Sequence, residues 1–529
     1  MKNLLVVIGA ILFCYASVAR CQSHADITLD SMQSNMALDD LISRFDDEGD
    51  TVMKCETAIQ VFRKEYERHP TDAFAALYFA RTFDKAANVG GACPPGDSSF
   101  LAYCDSALKY FKIAEKLMPG IRERRFKFPV PVMIGHLYGT RCCWWLKHGE
   151  YEKAVAEMAH GKAEGGYTPA QIELCRLMMD FCDTGSILFT AGDDDTFSAM
   201  YLQMVEGYRP DLSVINTSLA CMKWYDELFL GKPRNGFTPV KVRMTKKQLD
   251  SLDLTNGIFA EKVPDRLYTD VSEPTRKRLH RELGIDVADR AEICFPVYRL
   301  YEGRHYTLAA DIFIASVLQE NKWKRRVFFS SGGLHSSLEC THVAIRESSI
   351  CDELYPINLG QAASFMKDNK WYYKEKMKNL IFHDVNMEKF TEDKIRTSSQ
   401  VMMYYSLTEY LYFLDSGDQS AKVVIRKLQS ISPAQLEGYE ASVLPTAQAM
   451  YRLGFKEEAK QTISPYLGFF KNNLSGAKKA FGDAETQYIL ALIMSGDCQG
   501  AVDFVNSFDV TAETKESALQ ELRTYYGCK

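Results

Sequence analysis

The stretch ILFTAGDDDTFSAMYLQMVEGYRPDLSVINTSLACMKWY, residues 187–225, decides the fold, because its hydrophobic period changes twice within forty residues. Ile187 to Thr190 is a short apolar run held between Gly185 and Gly192, and Ser213 to Thr217 is a second. Both are rich in β-branched or aromatic residues and bounded by turn formers, so both read as strands. Between them Phe197 to Glu206 carries a helical pattern that stops at Gly207. Strand, helix and strand in about thirty residues predict a βαβ unit and hence a parallel pair. A further helix, Ala309 to Leu318, leads into the strand-like Val327 to Ser330 and repeats the arrangement. We therefore expect a Rossmann-like α/β domain over residues 186–385.

Outward from this segment the period becomes helical on both sides. Ala58, Val61 and Phe62, then Ala73, Ala76, Leu77, Phe79 and Ala80, recur at spacings of three and four, followed by Ala107, Tyr110, Phe111, Ala114 and Leu117. At Gly149-Glu150-Tyr151 one helix stops and another starts at once, with the small Ala154 set to allow close approach. Such turns recur at Gly454 to Ala459, at Gly496 to Ala501 and, shorter, at Gly417 to Ala421. The pattern resembles the turn of a tetratricopeptide repeat, a helical hairpin that stacks on its neighbours. The expected fold is thus mixed α+β and α/β: helical hairpins over 51–185 and 386–529 flank the central domain. The aromatic run Tyr404, Tyr405, Tyr410, Tyr412 and Phe413 belongs to the core of one such hairpin.

The first residues carry an address rather than a fold. Lys2 precedes an uncharged run from Leu4 to Ala16, too short for about 30 Å of hydrocarbon but suited to a signal peptide over residues 1–21. Cleavage before Arg20 or Gln22 fits the small residues there. Cys14 and Cys21 follow Phe13 and Arg20, not the small residue that lipoprotein processing needs. Residues 22–50 are acidic and polar and read as a loose leader. No later stretch is long and apolar enough to span a bilayer. The mature chain is expected to be exported, to the periplasm or cell surface, soluble or peripherally attached.

A formal charge of −6 leaves no basic footprint for nucleic acid or an anionic membrane. Apolar content of 46% and charged content of 25% are those of a globular protein. Of fifteen cysteines, cleavage before Gln22 removes Cys14 and Cys21 and leaves thirteen, an odd number, so at least one thiol then stays out of intrachain disulfides. Pairs close in sequence are Cys93 with Cys104, Cys340 with Cys351, and Cys498 with Cys528. Cys142 and Cys143 sit in a helical pattern and read as core. No Cys-x-x-Cys and no Cys/His ligand spacing occurs, which argues against zinc. No pattern assigns a cofactor.

The candidate site is the loop after the first strand, Gly192-Asp193-Asp194-Asp195-Thr196. In an open α/β sheet, ligands bind where a strand's carboxyl end meets the following helix. Three carboxylates there suit oxygen coordination of a cation or hydrogen bonds to sugar hydroxyls. The competing role is structural: Asp195 reads as the N-cap of a helix starting at Thr196, and acids there favour the helix dipole. Asp311 opens the second helix near the same edge, and Arg209 is the nearest cation after the first. Ser330 to His342 gathers Ser, His and Cys in a glycine-rich turn, but lacks the Gly-x-Ser-x-Gly elbow of a nucleophile. Trp323 is expected half-buried, with Lys324, Arg325 and Arg326 in solvent.

The quoted segment resembles the soluble C-terminal part of bacterial multipass membrane proteins related to protein O-mannosyltransferases. The resemblance rests on Gly192, Asp193, Asp195, Thr196 and Phe197, on Glu206, Gly207, Arg209, Pro210 and Asp211, and on Asn216, Ser218, Leu219, Trp224 and Tyr225. A second stretch, Asp311 to Phe329, matches through Asn321-Lys322-Trp323-Lys324-Arg325, with Arg326 where that family has proline. The resemblance implies a shared exported α/β module continuing into helical repeats. In that family sugar transfer belongs to the membrane-embedded half, so transferase activity is not implied here. No complete catalytic set is visible. The expectation is a non-catalytic scaffold or binding protein, engaging a protein partner in the cell envelope and with a glycan as second candidate ligand. The rival is a carbohydrate-active or ligand-binding enzyme acting through Asp193, Asp194, Asp195, Thr196, Arg209 and Asp311.

Overall fold

Among the described residues, helices precede every strand. They are α1 (Leu38–Asp47), α2 (Cys55–Arg68), α3 (Ala73–Ala87), α4 (Phe100–Leu117), α5 (Val130–Lys147), α6 (Tyr151–Ala163) and α7 (Pro169–Phe181). The computed structural model describes residues 38–47, 55–87, 99–124, 128–250, 266–284, 286–294, 299–301, 304–306, 309–330, 343–346, 348–358, 370–392, 398–431, 440–474 and 480–528. The signal segment, Cys93 and the Ser330–His342 turn beyond Ser330 lie outside them. The fold is mainly helical with a small mixed sheet. It gathers into two compact units, Met1–Asn369 with Asp393–Ile395, and Lys370–Glu392 with Arg396–Lys529.

Helix α1 corrects one expectation. Residues 22–50 read as loose because aspartates dominate, yet Leu38, Leu41, Ile42 and Phe45 fall on one helical stripe. Leu41, Ile42 and Phe45 are buried, and the Phe45 ring meets Phe62 at 5.4 Å and Tyr78 at 6.0 Å. Burying such a side chain stabilises by about 1.5–3 kcal/mol, enough to order a ten-residue helix that would be marginal alone.

The strand runs appear as read. β1 (Ile187–Thr190), α8 (Asp193–Met204) and β2 (Ser213–Asn216) form the expected βαβ unit, with Ile187 opposite Ser213 and Thr190 opposite Asn216 in parallel register. A 3₁₀ turn (Leu219–Cys221), α9 (Lys223–Leu230) and α10 (Lys246–Asp250) follow. Next come β3 (Arg266–Asp270), α11 (Glu273–Leu283), β4 (Arg290–Cys294), β5 (Arg299–Tyr301), β6 (Arg304–Tyr306) and α12 (Ala309–Asn321). β7 (Val327–Ser330) pairs with β1 in parallel on the side away from β2. β8 (Val343–Arg346) and β9 (Cys351–Asn358) then add antiparallel, giving the order β2-β1-β7-β9-β8. The sheet is therefore mixed. β1, β2 and β7 are buried at every position, which is why they read as continuous apolar runs rather than alternating ones.

The basic run before β7 is also corrected. Trp323 is 3% exposed rather than half-buried. Arg325 turns inward, donating to the carbonyls of Ser186 (2.9 Å) and Pro239 (3.1 Å) and to Ser213 Oγ (2.8 Å), which ties the amino ends of β1 and β2 together. The Arg326 side chain is 10% exposed and reaches Asp183 at 2.7 Å and buried Glu353 at 3.2 Å. Arg325 thus serves backbone carbonyls, whereas Arg326 pairs with carboxylates.

The second unit is helical: α13 (Lys370–Asn379), α14 (Met387–Glu392), α15 (Ser398–Phe413), α16 (Ser420–Ser430), α17 (Val443–Arg452), α18 (Lys456–Ile463), α19 (Leu467–Asn472), α20 (Asp483–Met494), α21 (Cys498–Asn506) and α22 (Ala512–Tyr526). On α15, Tyr404 and Tyr410 are buried while Tyr412 is exposed. One turn recurs across both units. Gly149, Gly454 and Gly496 all take positive φ. The next residue's N–H reaches back five, from Glu150 to Trp145, Phe455 to Met450 and Asp497 to Leu492. Ala154, Ala459 and Ala501, five residues after each glycine, are fully buried. A glycine followed five residues later by alanine thus marks one helical-hairpin geometry used three times. A disulfide joins Cys498 to Cys528, one of the pairs close in sequence.

Candidate functional site

Helix α8 begins at Asp193, with Gly192 as its N-cap. Asp195 is thus not the N-cap expected from sequence. It sits in the first turn and caps from there, accepting the N–H groups of Gly192 (2.8 Å) and Ala191 (3.1 Å). This is the third helical residue's half of a capping box, reaching back to the N-cap N–H, while glycine has no side chain to supply the other half. Burial pushes the Asp195 carboxyl up, opposed by the Ser330 hydroxyl and those two amides. Thr196 is buried and shares a 2.8 Å bond with Thr190, while Asn216 Nδ2 donates to it at 2.6 Å. Asn216 in turn accepts Leu219 N–H through its side chain (2.7 Å), and its own N–H donates to the Tyr225 hydroxyl (2.8 Å). Asp195 and Thr196 hold the carboxyl ends of β1 and β2 through these bonds.

Arg209 stands apart from Asp193, and Asp311 is not among the residues that line the cleft beside Asp193. Arg209 has φ 44° and donates to Cys182 O (3.1 Å) and, through two nitrogens, to Asp211 (2.9 Å each). A cation against the last carbonyls of α7 is favoured by the helix dipole. The Arg209 hydrogen bonds hold the Asp211 carboxyl to about 2, partial burial notwithstanding. This cluster lies before the amino end of β1, the opposite edge from Asp193. Asp311 is 1% exposed in the first turn of α12, a helix packed on the 3₁₀ turn after β2.

Asp193 and Asp194 behave differently from Asp195, because each reaches a different element. Asp193 bonds His136 Nδ1 on α5 at 2.7 Å; His136 Nε2 lies 3.9 Å from Asp84 on α3, which pairs with Arg81 at 3.0 Å. Desolvation pushes the Asp193 carboxyl up, but the charge and hydrogen bond of His136 outweigh it and leave it lowered. With the Asp193 side chain 58% exposed, solvent screens much of that attraction. Asp194 accepts from Gln171 Nε2 at 2.8 Å. Gln171 is itself fixed by a capping box with Thr168 at the start of α7.

Glycines bring these elements together. A Cβ on Gly139 would lie 2.3 Å from the Phe197 ring, and one on Gly135 would lie 2.2 Å from the Gly166 carbonyl oxygen. Gly135 and Gly139 are one turn apart on α5 and so share a face, against which α8 and the turn before α7 lie directly. Where they meet is an open pocket of about 180 Å³, solvent included, lined by His136, Gln171, Asp193, Asp194 and Ser198, with the Tyr167 and Phe197 rings alongside. His136 and Gln171 were missed from sequence because their partners lie 57 and 23 residues away. The signal that was present is Gly135-His136-Leu137-Tyr138-Gly139, a pair of small residues bracketing a histidine. Among the described residues, no group of acidic, histidine and cysteine side chains is set to hold a metal ion, and no helix is long and apolar enough to cross a membrane.

No curated protein and no solved structure matches the chain. The family model described as TMEM260-associated domain 2 matches residues 172–279, from within α7 into α11. The segment that carries Asp193, Asp194 and the βαβ unit is thereby related to a TMEM260-like family.

Proposed function

We propose that this chain is an exported, non-catalytic binding protein, in which tetratricopeptide-like hairpins support a Rossmann-like module that engages a partner in cell-envelope glycan or protein assembly. The observation that carries this reading is the division of labour within one acidic loop. Asp195 is spent on the fold, whereas Asp193 and Asp194 line an open pocket with His136 and Gln171. Carboxylates steadied by neighbouring elements, beside two aromatic rings, are recognition geometry. The resemblance to proteins related to O-mannosyltransferases supports an envelope setting, as does the Cys498–Cys528 disulfide, since such bonds persist in oxidising compartments.

The test has two parts. Intact-mass measurement of the exported chain should find an N-terminus at Arg20 or Gln22; a chain retaining Met1 in the cytosol would sink the export reading. Affinity capture from envelope fractions should then recover a partner with the wild type but not with Asp193→Ala/Asp194→Ala. That double variant removes one half-exposed ion pair and part of a favourable dipole contact, costing about 1–2 kcal/mol, so its melting temperature should stay within a few degrees. One observation favours the rival enzymatic reading: an imidazole bonded to a carboxylate is an acid–base pair. If that reading holds, His136→Gln abolishes turnover of a glycoside while partner capture persists.

A further inference from the structure

Two buried thiols meet at one carbonyl. Cys182, the C-cap of α7, is 2% exposed, and Cys351, the first residue of β9, is 0% exposed. Cys182 Sγ donates to the carbonyl oxygen of Met178 at 3.4 Å, and Cys351 Sγ donates to the same oxygen at 3.7 Å. The two sulfurs are therefore no further apart than those contacts laid end to end. We propose that Cys182 and Cys351 close a second disulfide in the exported chain, joining the end of α7 to the antiparallel part of the sheet. The proposal rests on the export reading above, because an oxidising compartment is what lets such a bond form and persist.

The surroundings favour closure over two separate thiols. A thiol is a weak hydrogen-bond donor, so the Met178 carbonyl gains little from a second one. The backbone is held on both sides. The Cys182 carbonyl accepts from Arg209 at 3.1 Å, and the Cys351 N–H donates to Ser348 Oγ at 3.1 Å. Cys351 also lies opposite Ser330 in the β7–β9 ladder. The loop so closed carries β1 to β8, far more chain than Cys498 and Cys528 enclose, and cross-links over longer loops remove more unfolded-state entropy. The chemistry is thiol–disulfide exchange. Two S–H bonds break and one S–S bond forms. The two protons and two electrons reduce the disulfide of an oxidised thiol compound, glutathione or an oxidoreductase, to two thiols. Both cysteines are buried in the finished fold, so the exchange takes place while the chain folds. Afterwards a reductant reaches the part-exposed Cys498 and not this pair. Closeness in sequence offers Cys340 to Cys351; the shared Met178 carbonyl brings Cys182 to it instead.

Non-reducing peptide mapping of the exported full-length protein, denatured in iodoacetamide before digestion, tests this. A peptide holding Cys182 should be found joined to one holding Cys351, with neither sulfur alkylated. Cys182→Ser with Cys351→Ser, which keeps a hydroxyl donor for Met178, should melt several degrees below wild type. If that variant does not fold, the wild-type map decides alone. Alkylated Cys182 and Cys351 beside an intact Cys498–Cys528 bond would overturn the assignment and leave the export reading standing, as would Cys351 joined to Cys340. If Cys498–Cys528 is open as well, the export reading loses its support. Refolding the purified chain in a mixture of reduced and oxidised glutathione then decides the pair: closure keeps the assignment, and two alkylated thiols overturn it.

Discussion

Asp226 on α9 is fully buried, and among the described residues neither of its carboxylate oxygens has a hydrogen-bond partner. Burial pushes its carboxyl well above the ordinary range, and nearby Glu227 adds to the effect. A charged carboxylate without a partner is too costly to keep inside a protein, so the group folds protonated. The sign follows. The native state holds a proton that the unfolded chain releases above a pKa of about 3.9, so stability falls as pH rises through that window, by about 1.4 kcal/mol per unit until the native carboxyl ionises. Asp226→Asn removes that penalty. Its stability advantage over wild type, from urea melts at pH 4.5, 6 and 7.5, should widen with pH; parallel profiles would refute a buried neutral acid. Asp193 works in the opposite sense. Its lowered carboxyl stabilises above the unfolded pKa and loses that contribution as pH falls through the lower native one. At this scale the sequence showed the chemistry of Asp195 but not its position, and showed nothing of Asp226, whose burial depends on how α9 packs.

Elements were legible where a local signal specified them. The runs at Ile187 and Ser213 and the three hairpin glycines read correctly because their cause lies within a few residues: β-branched content in one case, a left-handed backbone in the other. Strands β8 and β9 and the β3–β4 and β5–β6 pairs went unread because their pairing is set by partners rather than by pattern. The same limit hid the close approach of α5 and α8. Gly139→Ala should make that contact visible, since its Cβ would sit 2.3 Å from the Phe197 ring and overpacking typically costs about 1–3 kcal/mol. Phe197→Leu should relieve part of the cost, giving a coupling of about 1 kcal/mol in a double-mutant cycle of urea midpoints. Strictly additive losses would show that the two helices do not meet there. Gly149→Ala is the contrasting case. Nothing lies within 4 Å of the added Cβ, but φ is 75°, so the cost is backbone strain of about 1–2 kcal/mol that no change at Phe197 should recover.

For the whole molecule, helical flanks around a parallel strand pair were expected, and the structure is mainly helical with a small mixed sheet. What sequence could not supply is how contacts gather into two compact units, because that depends on packing between segments far apart in the chain. The second unit has its own covalent restraint. Cys498 opens α21 and Cys528 follows the end of α22, so the bond closes a loop with a sequence separation of 30. The disulfide keeps the terminal helix from fraying, where α22 buries little beyond Leu522. A loop of that length corresponds to about 3–4 kcal/mol of lost unfolded-state entropy in the chain-entropy model. Reduction, or Cys498→Ser with Cys528→Ser, should therefore destabilise only Lys370–Glu392 with Arg396–Lys529. Limited proteolysis followed by peptide mapping, with and without reductant, reads this directly. New cleavages should cluster after residue 480 and leave the α5–α8 region protected. Equal loosening of both units would show that their stabilities are coupled. No change at all would show that helix packing alone holds α22 in place.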